Sequence, residues 1–235
     1  MTPVNTSLEQ RILGQLRHGL IASCQPVDDG PMDKVEHVLA MALAALAGGA
    51  RGLRIEGLDN VRAVAAATEA PIVGITKRDL PNSSVRITPF VDDVIALAEA
   101  GAKIIAFDAT DRPRPIPSAQ LLETVHKMGC VAMADCAAYS EGVAMAKLGC
   151  TLIGSTMSGY TGPDATPNEP DIELVQRWVA DGFNVMAEGR YNSPERAAQA
   201  IRAGATAVTV GSAITRVEHI ARWFADSITA AAPRG

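Results

Sequence analysis

Short apolar runs alternate with amphipathic stretches along most of the chain. Eight such runs hold four to six residues each, are rich in alanine and β-branched residues, and are apolar at consecutive positions. Strands buried on both faces of a parallel sheet show this pattern. The predicted strands are Leu20–Cys24, Gly52–Glu56, Ile72–Lys77, Lys103–Asp108, Val131–Asp135, Leu152–Ser155, Asn184–Glu188 and Ala207–Gly211.

The stretches between the runs have helical spacing. Many end in glycine directly before the next apolar run, as in AEAGAKIIAFD and IRAGATAVTV. Glycine suits the left-handed position just past a helix end. Ser193 before Pro194 is a favourable helix start. The predicted helices include Met32–Ala47, Val91–Ala100, Ser118–Lys127, Ser140–Lys147, Asp171–Asp181, Pro194–Ala203 and Val217–Thr229, with Ser7–Arg17 as an extra helix before the first strand.

Eight strand–helix units predict a closed barrel. An open doubly wound sheet is the alternative, but it rarely needs eight strands and usually has a glycine-rich dinucleotide turn, which we do not find in the sequence. We therefore predict an α/β fold, a single (β/α)8 TIM barrel over residues 1–235 with an extra N-terminal helix.

Composition narrows the classes of partner. The net charge is −5 and the basic residues form no stripe, so we expect no nucleic-acid partner. No apolar run approaches the length of a membrane span, and the N-terminus does not resemble a signal peptide. The four cysteines contain no CxxC pair and are predicted to be reduced, structural thiols. We expect a cytoplasmic protein.

Polar side chains stand at the carboxyl end of every predicted strand. Any one of them alone is more often a cap or an ion-pair partner, but active sites of barrels form where these ends converge. Two long connections, Arg78–Phe90 and Met157–Pro170, follow the third and sixth strands and are candidate lids. The polar residues at the strand ends are Gln25, Arg54, Glu56, Lys77, Asp108, Asp135, Ser155, Thr156, Glu188 and Ser212.

A phosphate site is predicted after the last two strands, where barrels often bind phosphate through backbone N–H groups. Gly189 and Gly211 let the backbone approach closely, Ser212 offers a hydroxyl, and Arg216 offers a bidentate cation. The alternative is that Gly211 and Ser212 only cap the last helix.

Lys77 ends an apolar strand, where burial lowers a lysine pKa and favours a base near neutral pH. The alternative is an ion pair with Asp79 at the rim. The four histidines show no metal-ligand spacing, so no metal is implied.

Nine runs resemble, in the same order, those of N-acetylmannosamine-6-phosphate 2-epimerases, over about Leu16 to Phe224. The family resemblance implies a TIM barrel, usually a homodimer, that uses no redox cofactor and interconverts two 6-phosphorylated amino sugars in sialic acid salvage. The runs are GLIASCQPVDDGPMDK, GLRIEG, PIVGITKRDL, RITPF, FDATDRPRP, MADCA, IGSTMSGYT, VMAEGRYNSPE and VTVGSAITR.

The resemblance also implies roles for individual residues. Lys77 and Glu188 match the proton-transfer pair, while Arg54 and Asp135 are expected to contact the sugar or orient that pair. Glu56 departs from the family pattern, and we assign it no role. The other expected substrate-binding residues are Gln25, Thr156 and Tyr160, and the phosphate end matches Gly189, Gly211, Ser212 and Arg216.

Epimerisation at carbon 2 requires a base on one side of that carbon and an acid on the other. The third and seventh strands of an eight-stranded barrel lie opposite each other, and they carry Lys77 and Glu188. Arg54 is the candidate for stabilising the enolate. Two alternatives stay open: a Schiff-base aldolase with Lys77 as nucleophile, and a non-catalytic barrel that binds sugar phosphate.

Overall fold

The computed structural model describes residues 6–232 as a closed barrel of eight parallel strands. Each strand pairs with its neighbour in sequence, and β8 pairs with β1 to close the ring. The predicted TIM barrel is thereby confirmed; the open sheet is excluded. The strands are β1 Gly19–Cys24, β2 Gly52–Glu56, β3 Ile72–Ile75, β4 Ile104–Asp108, β5 Val131–Asp135, β6 Leu152–Gly154, β7 Val185–Glu188 and β8 Ala207–Val210.

Helices surround the barrel, and the first of them precedes β1 as predicted. The prediction of one domain over residues 1–235 extends at both ends beyond the described residues. The helices are α1 Thr6–Leu16, α2 Val35–Ala47, α3 Leu58–Ala67, α4 Val91–Glu99, α5 Ser118–Lys127, α6 Tyr139–Lys147, α7 Ile172–Ala180, α8 Pro194–Arg202, α9 Ser212–Thr215 and α10 Val217–Ala230.

Two helices are absent from the predicted set. Helix α3 buries only Val61 and Val64 within an alanine-rich sequence, so its apolar face contrasts weakly with the rest. Helix α9 is four residues long, too short to show a periodicity. The largest difference among the strands is in β3, which ends two residues earlier than predicted. After Ile75 the chain leaves β2 and β4, because the Lys77 backbone pairs with Ile87 in the following loop.

The recurrence of glycine between a helix and the next strand has a local structural cause. Six glycines between a helix and the next strand have positive φ values, so a residue with Cβ would be strained there. Ser193 caps α8 by accepting a hydrogen bond from the Arg196 N–H, with Pro194 in the first turn. The six glycines are Gly49, Gly101, Gly129, Gly149, Gly182 and Gly204.

The barrel interior is filled rather than open. Buried side chains such as Ile21, Ile104 and Met186 form one core inside the ring, and Ile12 and Leu16 of α1 belong to the same cluster. Helix α1 therefore packs at the amino-terminal end of the strands. Burial of each such aliphatic side chain contributes about 1.5–3 kcal/mol.

Helix α10 differs from the other helices that follow a strand. It has 14 residues and none is buried, whereas α7 buries Leu174, Val175 and Trp178. Phe224 and Ile228 are 67% and 71% exposed. Within residues 6–232, none of the helices combines the length and the apolar character that crossing a bilayer requires.

Candidate active site

A cavity of about 460 Å³ opens at the carboxyl ends of the strands, where the sequence places the polar rim. The structure brings most of the predicted site residues together around it. Asp135 is the exception, since it is not among the lining residues. The predicted residues that line the cavity are Gln25, Arg54, Lys77, Thr156, Tyr160, Glu188, Gly189, Gly211, Ser212 and Arg216.

Glu188, at the end of β7, belongs to a hydrogen-bonded network. Its Oε2 accepts a hydrogen bond from Arg54 Nη1 at 3.1 Å and lies 3.3 Å from the Thr156 hydroxyl. The Ser155 hydroxyl donates to the Glu188 carbonyl at 2.9 Å and accepts from its N–H at 3.0 Å. Both the backbone and the carboxylate of Glu188 are therefore held in place.

Asp135 lies behind Arg54 and is completely buried. Its Oδ2 is 2.6 Å from Arg54 Nη2 and its Oδ1 is 3.2 Å from Arg54 Nη1, a bidentate pair. Of the two roles that the resemblance implies for Asp135, sugar contact or orientation, this position favours orientation through Arg54.

Burial raises the pKa of Glu188 to about 7, because the charged form loses solvation. The positive charge of Arg54 opposes the rise in this pKa, and the negative charge of Asp135 adds to it. A carboxyl group with a pKa near neutrality can either donate or accept a proton in this environment.

Lys77 faces the cavity from the opposite side, since β3 and β7 are four strands apart in the ring of eight. Burial lowers the pKa of Lys77, and the nearby charge of Arg216 lowers it further, while Glu56 opposes this. The predicted alternative, an ion pair with Asp79, is wrong: Asp79 binds Arg86 at 2.6 Å. Among the described residues, no carboxylate lies within 4.0 Å of the Lys77 ammonium.

Glu56 has a backbone partner beside Lys77. Its Oε1 accepts a hydrogen bond from the Lys77 N–H at 3.2 Å, at the point where the chain leaves β3. Burial raises the pKa of Glu56, and Lys77 lowers it. Glu56 does not line the cavity, so its contact is with the backbone that carries Lys77.

The four residues of the predicted phosphate end all line the cavity. Gly189 has φ +105°, a conformation that a side chain would strain, and it lines the cavity. A Cβ on Gly211 would lie 3.3 Å from the Ser23 Cβ, so the two backbones approach closely. Arg216 Nε donates to the Gln25 carbonyl at 2.9 Å. Gly211 and Ser212 do not cap the last helix: they begin the short helix α9, whereas Arg216 stands directly before α10.

Three arginines of the cavity wall, Arg86, Arg112 and Arg190, are missing from the predicted site. Arg112 donates to Ser84 in the loop after β3 and to Asp108 on β4. Arg190 donates to the Ser158 carbonyl at 2.6 Å and stacks on Tyr160 at 5.2 Å. Arg112 and Arg190 follow strand ends in FDATDRPRP and AEGR, which was the available signal, but the sequence does not show that they reach Ser84 and Ser158 in other loops.

The described residues contain no group of three His, Cys, Asp or Glu side chains that could hold a metal ion. The carboxylates around the cavity are instead paired with arginines: Asp135 and Glu188 with Arg54, and Asp108 with Arg112. Arg54 pairs with both Asp135 and Glu188, so the network of these three residues carries one negative charge when Glu188 is ionised and none when Glu188 is protonated.

A closed parallel barrel with a polar cavity at the carboxyl ends of its strands has the architecture of a TIM-barrel enzyme. A family model described as "Putative N-acetylmannosamine-6-phosphate epimerase" matches residues 38–230. The chain belongs to the N-acetylmannosamine-6-phosphate epimerase family, which confirms the resemblance seen in the sequence.

Individual relatives agree with this assignment. Proteins named "Putative N-acetylmannosamine-6-phosphate 2-epimerase" from Glaesserella parasuis and Haemophilus influenzae are 60% and 57% identical, over 94% of this chain and 95% and 97% of their own lengths. The solved structure of the N-acetylmannosamine-6-phosphate 2-epimerase from Clostridium perfringens is 36% identical with a TM-score of 0.88. It matches 92% of this chain and 96% of that one.

Proposed function

We propose that the protein interconverts N-acetylmannosamine 6-phosphate and N-acetylglucosamine 6-phosphate by moving protons at carbon 2. The observation that carries the proposal is the placement of Lys77 and Glu188, which face one cavity from opposite strands. Two groups with pKa values displaced toward neutrality suit removal of a proton from one face and its return to the other.

The reaction begins with the open-chain sugar, whose aldehyde acidifies the proton on carbon 2. One group removes that proton, and the electron pair moves onto the aldehyde oxygen to form an enolate. The other group then delivers a proton to the opposite face of carbon 2, and the carbonyl reforms. Arg54 supplies positive charge beside Glu188 and is the candidate for stabilising the enolate oxygen. After one turnover, the acid and the base have exchanged protonation states.

The phosphate group would bind between Gly189, Gly211, Ser212 and Arg216, away from the reacting carbon. Contacts to a remote group can hold the reacting carbon between the two catalytic side chains. We therefore expect a strict demand for the 6-phosphate. Comparable turnover of unphosphorylated N-acetylmannosamine would contradict it.

The direct test is proton NMR of the purified protein with N-acetylmannosamine 6-phosphate in D2O. We expect appearance of N-acetylglucosamine 6-phosphate with deuterium at carbon 2, because the transferred proton comes from an exchangeable group. Product without deuterium would rule out this proton transfer. Absence of interconversion would favour the alternative function, in which the barrel binds a sugar phosphate without catalysing a reaction.

A Schiff-base aldolase is the second candidate, because burial lowers the pKa of Lys77 and so favours a nucleophilic amine. Borohydride reduction in the presence of substrate distinguishes the two functions. An aldolase would become covalently labelled at Lys77, whereas the proposed epimerase would give no adduct by mass spectrometry.

We also propose that the protein is a homodimer and that α10 contacts the second copy. The apolar residues Val217, Ile220, Phe224 and Ile228 recur at helical spacing, yet α10 buries none of them in one chain. Burial against the same helix of a second copy, a self-complementary contact, would remove this face from water.

Light scattering after gel filtration tests the dimer. Phe224→Glu should give monomers, because a charge would be buried in the interface. Leu148→Glu, at an exposed apolar position directly after α6, is the control and should remain dimeric. A dimeric Phe224→Glu protein would contradict the role of α10.

A cytoplasmic location is the remaining proposal. All four cysteines, Cys24, Cys130, Cys136 and Cys150, are buried and unpaired in the structure. Burial raises the pKa of Cys24 and of Cys150 to about 12, which keeps both as thiols. Free thiols fit a reducing compartment; cell fractionation with an antibody tests the location.

A further inference from the structure

The two carboxylate oxygens of Glu188 have different surroundings. Oε2 accepts a hydrogen bond from Arg54 at 3.1 Å and lies 3.3 Å from the Thr156 hydroxyl. Among the described residues, Oε1 has no hydrogen-bond partner within reach, although the side chain is 14% exposed and lines the cavity. One oxygen is therefore anchored by the protein, and the other is available to a ligand.

The position at which β6 ends places Thr156 next to Oε2 of Glu188. Gly154, the last residue of β6, is in register with Asp135 on β5 and Met186 on β7. The Ser155 side chain then binds the Glu188 backbone through two hydrogen bonds. Thr156 follows directly, so its hydroxyl is held between the two carboxylates.

The hydroxyl of Thr156 has one proton and two acidic neighbours. It lies 2.6 Å from Asp135 Oδ1 and 3.3 Å from Glu188 Oε2. When Glu188 is ionised, the hydroxyl can donate to Oε2; when Glu188 is protonated, Asp135 remains its acceptor. Either arrangement keeps Thr156 beside Oε2, the same oxygen that Arg54 contacts.

We infer that Thr156 is a positioning residue which, together with Arg54, engages Oε2 of Glu188 and leaves Oε1 as the oxygen that exchanges a proton with the substrate. The inference rests on the proposed epimerase function, and it deepens it by naming the reacting atom. A carboxyl group that could rotate freely would present either oxygen and spend less time in the productive orientation.

The charges that act on Glu188 come from three other strands: Arg54 on β2, Asp135 on β5 and Lys77 after β3. Thr156 adds a neutral donor from the end of β6, and its hydrogen bond lowers the pKa of Glu188. Removing the hydroxyl should therefore raise the Glu188 pKa and loosen its orientation, while the three charges remain.

The experiment compares Thr156→Val, which keeps the shape, with Thr156→Ser, which keeps the hydroxyl. In Thr156→Val we expect kcat to fall about tenfold or more with little change in KM, since misorientation acts on the transition state. We expect the acid limb of kcat/KM to move up by about one pH unit, the effect of one hydrogen bond to a charged group. Thr156→Ser should keep kcat and the acid limb of kcat/KM close to their wild-type values.

A second measurement does not depend on turnover. The carboxyl 13C resonance of Glu188, assigned by its loss in Glu188→Gln, reports the midpoint of its titration. We expect this midpoint to rise in Thr156→Val and to be unchanged in Thr156→Ser. Inactive wild-type protein would refute the proposed function, whereas the titration would still decide whether Thr156 engages Glu188.

Two outcomes would overturn the inference. A Thr156→Val protein with the wild-type rate and the wild-type Glu188 midpoint would show that the hydroxyl only fills space. Equal loss of activity in the valine and serine variants, with an unchanged midpoint and a reduced melting temperature, would show a structural role instead.

Discussion

Lys77 and Glu188 face the same cavity, but the β3 side and the β7 side hold these residues differently. Glu188 belongs to a network with Arg54, Asp135 and Thr156, all linked by hydrogen bonds. On the β3 side, the protein holds the Lys77 backbone through Glu56 and Ile87. The ammonium group has no carboxylate within 4.0 Å among the described residues.

This difference follows from the chemistry of the two groups. A buried carboxylate is costly unless cations and donors surround it, and Arg54 and Thr156 serve that purpose. A buried lysine lowers this cost through a lowered pKa, which makes its neutral form accessible, so it needs fewer charged partners on its long, flexible stem. We infer that the β7 side presents a fixed proton-transfer group and the β3 side an adjustable one.

The largest effects are expected when either group is removed. Glu188→Gln and Lys77→Met should each reduce kcat by about a hundred- to ten-thousand-fold, the usual contribution of a general acid or base. Binding should change much less, because proton transfer acts on the transition state. Kinetics of interconversion by NMR, with binding measured by calorimetry, would check both.

Circular dichroism is the control for both variants, since neither substitution changes the apolar cores. Near wild-type turnover in Glu188→Gln would contradict a proton-transfer role for Glu188 and leave Lys77 as a single base acting on both faces of carbon 2.

The pH dependence of kcat/KM should reflect the ionisation of both Glu188 and Lys77. The productive state is expected to contain one proton shared by the pair, with ionised Glu188 and protonated Lys77 between their two pKa values. Because the Glu188 pKa is raised to about 7, activity should fall below pH 7, by about a hundredfold at pH 5. Because the Lys77 pKa is lowered, the alkaline limb should lie below the ordinary value of 10.5.

The substrate phosphate also titrates in the acid range, so its ionisation must be measured by 31P NMR and divided out of the profile. An acid limb near pH 4.5, the ordinary pKa of glutamate, would mean that burial does not raise the pKa of Glu188.

Asp135→Asn tests how far the β7 network supports Glu188. The pKa of Glu188 should fall, since the negative charge that raises it is gone and Arg54 is left to act on Glu188. The acid limb should therefore move to lower pH, opposite to Thr156→Val. Loss of one partner from this buried pair should also lower the free energy of unfolding by about 3 kcal/mol. Urea unfolding measures the second effect, and an unchanged stability would contradict it.

The smallest effect is expected on the β3 side, from Glu56→Gln. The amide keeps an acceptor for the Lys77 N–H, so the backbone should stay in place. The charge of Glu56 raises the Lys77 pKa, and its removal should move only the alkaline limb to lower pH, with less than about a threefold change in the maximum rate. A large loss of kcat would show that Glu56 contacts the substrate.

Local patterns were enough to predict most of the fold. Runs buried on both faces marked eight strands, and glycines such as Gly101 and Gly204 marked the helix ends, because their positive φ values are required locally. The shorter β3 was not predictable from such patterns. Its end depends on pairing between Lys77 and Ile87, which the loop after the strand creates.

The sequence also placed the candidate site at the correct end of the barrel, because polar side chains at strand ends meet on one face of a parallel barrel. The family motifs add roles for Lys77 and Glu188, and those roles stay predictions. Neither the polar residues at the strand ends nor the family motifs indicated that Asp135 would lie behind Arg54 or that Asp79 would bind Arg86.

Sequence alone therefore determined where the eight strands lie along the chain, the glycines at the helix ends and the polar residues at the rim, since each depends on a short stretch of chain. Tertiary structure alone decided which oxygen of Glu188 is anchored. Arg54 and Glu188 are 134 residues apart, and Arg54 and Asp135 are 81 apart. Their contacts exist only because the ring closes and directs β2, β5 and β7 toward the same interior, where burial requires each charge to find a partner.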